Sequence, residues 1–301
     1  MEQEQKTSST TKTILTGAIT LALTTAIGAG IGFGASYVQT PKWRATAQFD
    51  QPKVSELGNY FDLYSTYTFL NGGEPQSYTL LKNEQGQFSL APQRSQTAEQ
   101  MATESAYQEF KRNLTSPDVL KDYLTRTNLV KVKSQTENIS ETAAMEQLSS
   151  QFNFQRANLN KGTADSLSVT STKTDEAAKM LNGFIQFANQ QTRVNLNTDL
   201  IAKWKILFQQ VKNATELKLG PTQQGNQIAM QDWNGKLNIM KTVQPLDDKL
   251  VAYRFVQSPT EAGSPIAPKR SIWAMIGALS GLLLGMIGLS ARRSPKSAQN
   301  G

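Results

Sequence analysis

Residues 271–290 read SIWAMIGALSGLLLGMIGLS. The stretch holds neither a charge nor a proline, and it has about the ~20 residues that a helix needs to cross a bilayer. Lys269 and Arg270 stand before it, Arg292 and Arg293 after it. Gly277, Gly281 and Gly285 recur about one helical turn apart, so they stack on one face. A face of small residues lets another helix backbone come close. Such close packing joins helices in lipid, where no hydrophobic drive acts between them. The other reading, a helix buried in a water-soluble core, fits poorly with so long an uncharged run.

The stretch has a partner near the other end of the chain. Residues 13–38 also carry no charge, although Thr and Gly dilute their apolar character. Gly28 and Gly32 lie on one face, and Gly30 and Gly34 on another. The apolar region of a cleaved signal peptide runs only ~7–15 residues, so 13–38 reads as a retained anchor. The expected division is a tail at 1–12, transmembrane helices at 13–38 and 271–290, and a second tail at 291–301. Between the helices lies one aqueous body. Charge does not orient it. Lys6, Lys12, Arg292, Arg293 and Lys296 lie on one side, and Lys42, Arg44, Lys53, Arg254, Lys269 and Arg270 on the other.

Composition narrows the chemistry. Among 301 residues there is no cysteine and no histidine. That removes thiol nucleophiles, Ser-His pairs, disulfides and nearly all structural zinc sites. The net charge of +7 is spread along the chain without a dense basic stripe, so no nucleic-acid partner is indicated. No phosphate-loop motif is present, and Asp247-Asp248 reads as a solvated turn rather than a metal site. The expectation is a protein with no catalytic residues, no metal and no cofactor.

The body opens, over 39–173, as a mixed α/β base. Trp43-Arg44-Ala45-Thr46-Ala47-Gln48-Phe49 reads as a strand leaving the membrane, with Trp43 suited to the interface. Tyr60, Phe61, Tyr64, Tyr67 and Phe69 follow, and two readings stand: a ladder for stacking on sugar rings, or a helix packing its aromatics into a core. From 76 to 96 the pattern is weak and reads as loop with one short strand. Thr97 with Gln100 has the spacing of a capping box, Ser116-Pro117 is a helix start, and Ser140 is a cap. Phe152-Asn153-Phe154 and 167–170 alternate with period two and read as an antiparallel pair.

Over 174–241 the expectation is a long helix and a returning one. Apolar steps of three and four run from Ala177 to Leu217, and Gly220-Pro221 marks the stop. At 1.5 Å per residue such a helix reaches roughly 70 Å, too long for one compact domain of this size. Leu200, Trp204, Leu207 and Val211 are therefore assigned to contact with other copies of the chain. The segment 242–268 contains a strand at 249–255, expected beside the strand at Trp43. Pro259, Pro265 and Pro268 then make a stiff approach to the second span.

At this point the chain resembles a family. The residues that carry the likeness are WRATAQFDQP at 43–52, Ala106-Tyr107-Gln108-Glu109-Phe110, Phe187-Ala188-Asn189-Gln190 with Leu196-Asn197 and Trp204, and SPIAPKR at 264–270. In order and spacing they are similar to the Wzz-type chain-length determinants, the class 1 polysaccharide co-polymerases, in detail nearest the enterobacterial-common-antigen branch. The resemblance implies an α+β membrane protein with two transmembrane helices enclosing a periplasmic domain. It also implies a bacterial inner-membrane location with both termini cytoplasmic. The function it implies is non-catalytic control of the modal length of a lipid-linked polysaccharide, O-antigen or common antigen. The implied partners are other copies of the chain, a Wzy-type polymerase and the glycan. Site residues on this reading are Gly28, Gly32, Gly277, Gly281 and Gly285 for helix packing, and Trp43, Pro265, Pro268, Lys269 and Arg270 at the membrane approach. The alternatives are a membrane adaptor of a polysaccharide-export tyrosine kinase and a two-span extracytoplasmic sensor.

Overall fold

The structure is a computed structural model of the chain and describes residues 2–72, 78–82, 88–92, 97–158, 160, 162–219, 222–224, 227–229 and 232–293. In chain order the elements begin with α1 (Glu2–Ala35), β1 (Trp43–Asp50), α2 (Asn59–Leu70), β2 (Tyr78–Lys82) and β3 (Phe88–Pro92). Four helices follow: α3 (Ala98–Leu114), α4 (Pro117–Arg126), α5 (Leu129–Glu137) and α6 (Glu141–Ser149). Then come β4 (Phe152–Gln155), β5 (Asp165–Ser171) and α7 (Thr174–Glu216). The chain continues with β6 (Thr222–Gln224), β7 (Gln227–Ala229), α8 (Trp233–Thr242), β8 (Arg254–Gln257) and α9 (Arg270–Arg293). It is a helical protein with a small sheet and an apolar helix toward each end.

It divides into two compact units. One comprises Met1–Ala45, Thr170–Ala177 and Glu261–Gly301, and the other Thr46–Val169 and Ala178–Thr260. The larger unit holds most of the four-stranded sheet, in the order β4-β5-β1-β8. The expected pairs form: β4 is antiparallel to β5 through Phe152↔Val169 and Phe154↔Leu167, and β1 to β8 through Phe49↔Phe255. Alternation along β1 buries Ala47 and Phe49. Phe49 meets Phe110 of α3 edge-on at 5.5 Å, and Phe110 stacks on Tyr253 at 4.5 Å. A second aromatic group joins Phe152 of β4, Phe184 of α7 and Tyr123 of α4. Tyr123 donates its hydroxyl to the Met180 carbonyl at 3.2 Å. Gly183 leaves room for it, since a Cβ there would lie 2.6 Å from that hydroxyl.

The local signals act where the sequence places them. Thr97 caps α3 in a reciprocal box with Gln100, Ser116 accepts from Val119 ahead of Pro117, and Ser140 accepts from Ala143. Each cap satisfies N–H groups that a helix start leaves unpaired. Helix α7 runs unbroken for 43 residues, about 65 Å, with Asp175 and Glu176 in the first turn where the positive end of the dipole favours them. Asn113 donates to Thr192 at 3.0 Å and Asn195 to Glu109 at 2.7 Å, tying α3 to α7.

Several expectations need correction. The residues 249–255 are not one strand: only Arg254–Gln257 pairs. The backbone just before it is claimed otherwise. Ala252 N–H donates to Asn189 Oδ1 at 2.9 Å, Asn189 Nδ2 donates to the Leu250 carbonyl at 3.1 Å, and Val251 N–H donates to Glu56. The amide of one α7 side chain thus takes the place of a neighbouring strand. Hairpin β2-β3 lies where a loop with one short strand is expected, and β6-β7 lies in a segment expected as a polar connector. Helix α5 has no capping side chain at its start and lies between Asn128 and Asn138, both left-handed, so the usual start signal is missing. Helix α1 begins at Glu2, within the expected tail at 1–12. The Gly220-Pro221 stop and the tail beyond 293 lie outside the described residues.

Candidate functional site: the glycine seam and the long helix

Among the described residues two helices are long and apolar enough to cross a membrane, Gly17–Ala35 and Arg270–Ser290. They pack on each other through glycine. A Cβ on Gly28 would run into the Gly277 carbonyl and lie 2.9 Å from the Gly281 Cα. One on Gly32 would strike the Trp273 carbonyl, and one on Gly281 the Thr24 carbonyl. These obstacles are backbone, which has no rotamer to yield. At Gly285 the neighbours are side-chain atoms of Thr24 and Leu21. Gly30, Gly34 and Gly288 meet nothing within 4 Å. Of the two glycine pairs in α1, then, only Gly28 and Gly32 lie in the seam.

The rest of the pair is apolar outward. Ile19, Leu23, Ile27 and Ile31 form an exposed line on α1, and Met275, Leu279, Leu283 and Leu284 are exposed on α9. Polar groups turn back on their own helix: Thr24 and Thr25 donate to the Leu21 carbonyl, Ser280 to Ile276 and Ser290 to Ile287. An environment without water demands that arrangement, because an unpaired polar group there costs several kcal/mol. An apolar groove of about 410 Å³ runs beside the seam between Ile27, Ile31, Ile276 and Leu284.

The approach residues gather in the same unit. Lys42 and Ala267 form an isolated antiparallel bridge, with Lys42 N–H donating to Ala267 at 2.9 Å and Ile266 N–H donating back at 2.8 Å. Trp43 follows half-buried, Pro268 is half-buried, and Pro265 is exposed. Lys269 and Arg270 are exposed, and the Lys269 carbonyl accepts the N–H groups of Ile272 and Trp273. The Arg270 guanidinium lies over the Tyr37 ring at 4.3 Å and donates to its hydroxyl at 2.9 Å. A cation joined to an amphipathic ring suits a membrane–water boundary.

The expectation that Leu200, Trp204, Leu207 and Val211 face another copy is corrected. Leu200, Leu207 and Val211 are buried within the chain. Leu207 and Val211 share a cluster with Leu70 of α2 and Met240 of α8, and Trp204 packs against it. Helices returning beside α7 use the face that the sequence alone leaves unassigned. What α7 exposes instead is Val194, Ile201 and Ile206. The aromatic run in α2 is divided: Tyr60 is buried, with its phenol pushed up by burial first and Tyr64 second, while Phe69 is 68% exposed. Among the described residues no cluster of His, Cys, Asp or Glu has a metal-holding arrangement.

No protein-family profile matches the chain. An uncharacterised protein of Haemophilus influenzae is 38% identical over 115 residues, covering 38% of this chain and 94% of that protein. The ECA polysaccharide chain length modulation protein of Escherichia coli K12 is 24% identical over 191 residues, and that of Salmonella typhimurium 22% over 182. The chain spans about half the length of these two relatives, 50% and 47%. Among solved structures, a full-length bacterial polysaccharide co-polymerase superposes with a TM-score of 0.58 at 14% identity, covering 95% of this chain and 97% of that one. The chain has the fold of a bacterial polysaccharide co-polymerase. The co-polymerase likeness spans both apolar helices and the body between them, so it is the whole architecture that matches. The likeness is one of fold, carried in this chain by an order of elements. That order is apolar helix, strand, helices, paired strands, a long helix, a closing strand and a second apolar helix.

Proposed function

We propose that the protein sets the modal chain length of a lipid-linked surface polysaccharide, an O-antigen or the enterobacterial common antigen, without catalysing a reaction. It acts as a homo-oligomer beside a Wzy-type polymerase. Its apolar helices anchor it in the bacterial inner membrane, with both termini cytoplasmic and the main body periplasmic. The observation that supports this most is the end-to-end likeness in fold to a polysaccharide co-polymerase, 95% of one chain on 97% of the other, joined to relatives described as chain length modulation proteins. Weak contacts repeated over several copies suit the sizing of a polymer, because linked weak sites multiply affinity without any one of them being tight. Val194 and Ile201, two turns apart on one face of α7, supply an exposed apolar surface for such copies. The test is the polysaccharide ladder of a deletion strain. The expected result is loss of the modal band with return on complementation; a ladder unchanged by deletion overturns the proposal. Introduced cysteines at 2–12 and in the body, probed with an impermeant thiol reagent, check the topology in a chain that has no cysteine of its own.

A further inference from the structure

A cavity in the larger unit has no part in the account so far. Its volume is about 510 Å³. One wall is the end of α3: Gln108, Lys111, Arg112 and Thr115 recur at three- and four-residue steps and so share a helix face. The other wall is Phe154 of β4 with Arg156 just beyond it. Asp165, at the start of β5 and only 6% exposed, fixes the floor. Its Oδ1 accepts the Ala157 N–H at 2.8 Å, and its Oδ2 accepts the Tyr107 hydroxyl at 2.8 Å and lies 3.5 Å from Lys111 Nζ. The Lys111 ammonium is held over the Tyr107 ring at 4.8 Å. Arg112 is held by Glu109 at 2.5 Å. Arg156 is exposed and, among the described residues, has neither an ion-pair nor a hydrogen-bond partner.

Among the described residues, two of the lining cations thus stand beside carboxylates and the third, Arg156, does not. Asp165 offsets Lys111, Glu109 offsets Arg112, and Arg156 is the surplus charge. Its guanidinium fork matches a carboxylate, which it can hold through two parallel hydrogen bonds. Phe154 is half-buried and lines the cavity, and an aromatic side chain there suits the C–H face of a sugar. The Thr115 hydroxyl donates to the Lys111 carbonyl at 2.8 Å, which leaves its oxygen to accept from a sugar hydroxyl, and the Gln108 amide can both donate and accept. A phosphate group fits less well. It would leave Phe154 and Gln108 idle. The helix end at this wall is also the C-terminal one, whose partial negative charge disfavours a dianion.

We propose that this cavity binds a carboxylate-bearing sugar residue of a polysaccharide. The proposal rests on the functional reading above only in taking the glycan as the occupant, and it adds the glycan's chemical class. The test titrates the full chain in detergent micelles with trigalacturonate, maltotriose and inorganic phosphate, followed by calorimetry. Trigalacturonate should bind about tenfold more tightly than the neutral trisaccharide, and Arg156→Gln should remove that preference while leaving the melting temperature unchanged. Phe154→Leu should weaken both sugars a few-fold. Equal binding of the two trisaccharides, full retention of the preference in Arg156→Gln, or phosphate binding as tightly as trigalacturonate would overturn it. Failures of the two readings are separable. A deletion strain with an unchanged ladder removes the length role and leaves the binding result in force. Length control without any acidic preference removes this site alone.

Discussion

Substituting Gly281 by Ala adds one methyl group at the centre of the seam. That Cβ would strike the Thr24 carbonyl oxygen and sit 3.0 Å from the Thr24 carbonyl carbon and 3.1 Å from the Gly28 Cα. None of these atoms belongs to a side chain that can rotate away, so the helices must part, by about 1 Å. A gap of about that size forfeits a quarter to a half of the dispersion attraction along the seam, and overpacking of this kind costs about 1–3 kcal/mol. With 1.4 kcal/mol per factor of ten, the open form of the pair should gain roughly 5- to 150-fold. Gly285→Ala should be milder, since Thr24 and Leu21 side chains can move. Gly30→Ala and Gly34→Ala should be neutral, because nothing lies within 4 Å of their added methyl. The assay uses the chain's lack of cysteine. A Cβ at 285 lies 3.3 Å from Thr24 Cβ, close to disulfide spacing, so Thr24→Cys with Gly285→Cys should cross-link in membranes. Adding Gly281→Ala should slow that cross-link about tenfold. An unchanged rate, or an equal effect from Gly30→Ala, would refute the seam.

Three further outcomes follow from the larger unit. Asn189→Ala should cost about 2–4 kcal/mol in a denaturant melt, because it strands the Ala252 N–H and the Leu250 carbonyl, both on buried residues; a loss under ~0.5 kcal/mol would mean that water replaces the amide. Asp165→Ala should cost about 2 kcal/mol, leaving the Tyr107 hydroxyl and Ala157 N–H unpaired, with the Lys111 contribution discounted because that side chain is 28% exposed. Tyr123 is pushed up to about 12 from 10.0 by burial. Between those values the unfolded chain has released the proton and the folded chain keeps it, so this tyrosine's contribution is intact below pH 10 and falls as pH rises through the window. Tyr123→Phe should therefore cost about 1 kcal/mol near neutrality for the lost bond to Met180, and the gap to the parent should narrow from about pH 10 upward; a gap constant with pH would sink the argument.

The chain's local signals were legible and its choices among faces were not. Uncharged length marks both apolar helices, and Thr97, Ser116 and Ser140 mark helix starts, because hydropathy and capping depend only on residues within a turn or two. Period-two alternation marks β4 and β5 and even their pairing, since a short turn leaves little choice of partner. The hairpins β2-β3 and β6-β7 lack that alternation, and α5 lacks a cap, so neither had a local signal strong enough to read. The cavity between α3 and β4 was invisible for another reason. Lys111, Arg112 and Arg156 are ordinary surface cations in sequence, and only folding places them around one space.

By itself, then, the sequence determined that two long apolar helices enclose an α+β body with one very long helix, and that the residues for thiol and imidazole chemistry are absent from it. The tertiary structure decided what each face meets. Both glycine pairs of α1 are equally spaced, and only the phase of α1 against α9 puts Gly28 and Gly32 in contact while Gly30 and Gly34 meet nothing. Leu207 and Val211 satisfy the pattern of a helix that joins copies, yet α2 and α8 return to cover them. Residues 250–252 have strand-like alternation, yet one asparagine on α7 takes their backbone bonds. In each case the periodicity fixes that a surface must be covered. Which surface covers it depends on segments far away in the chain, brought near only once the backbone has turned.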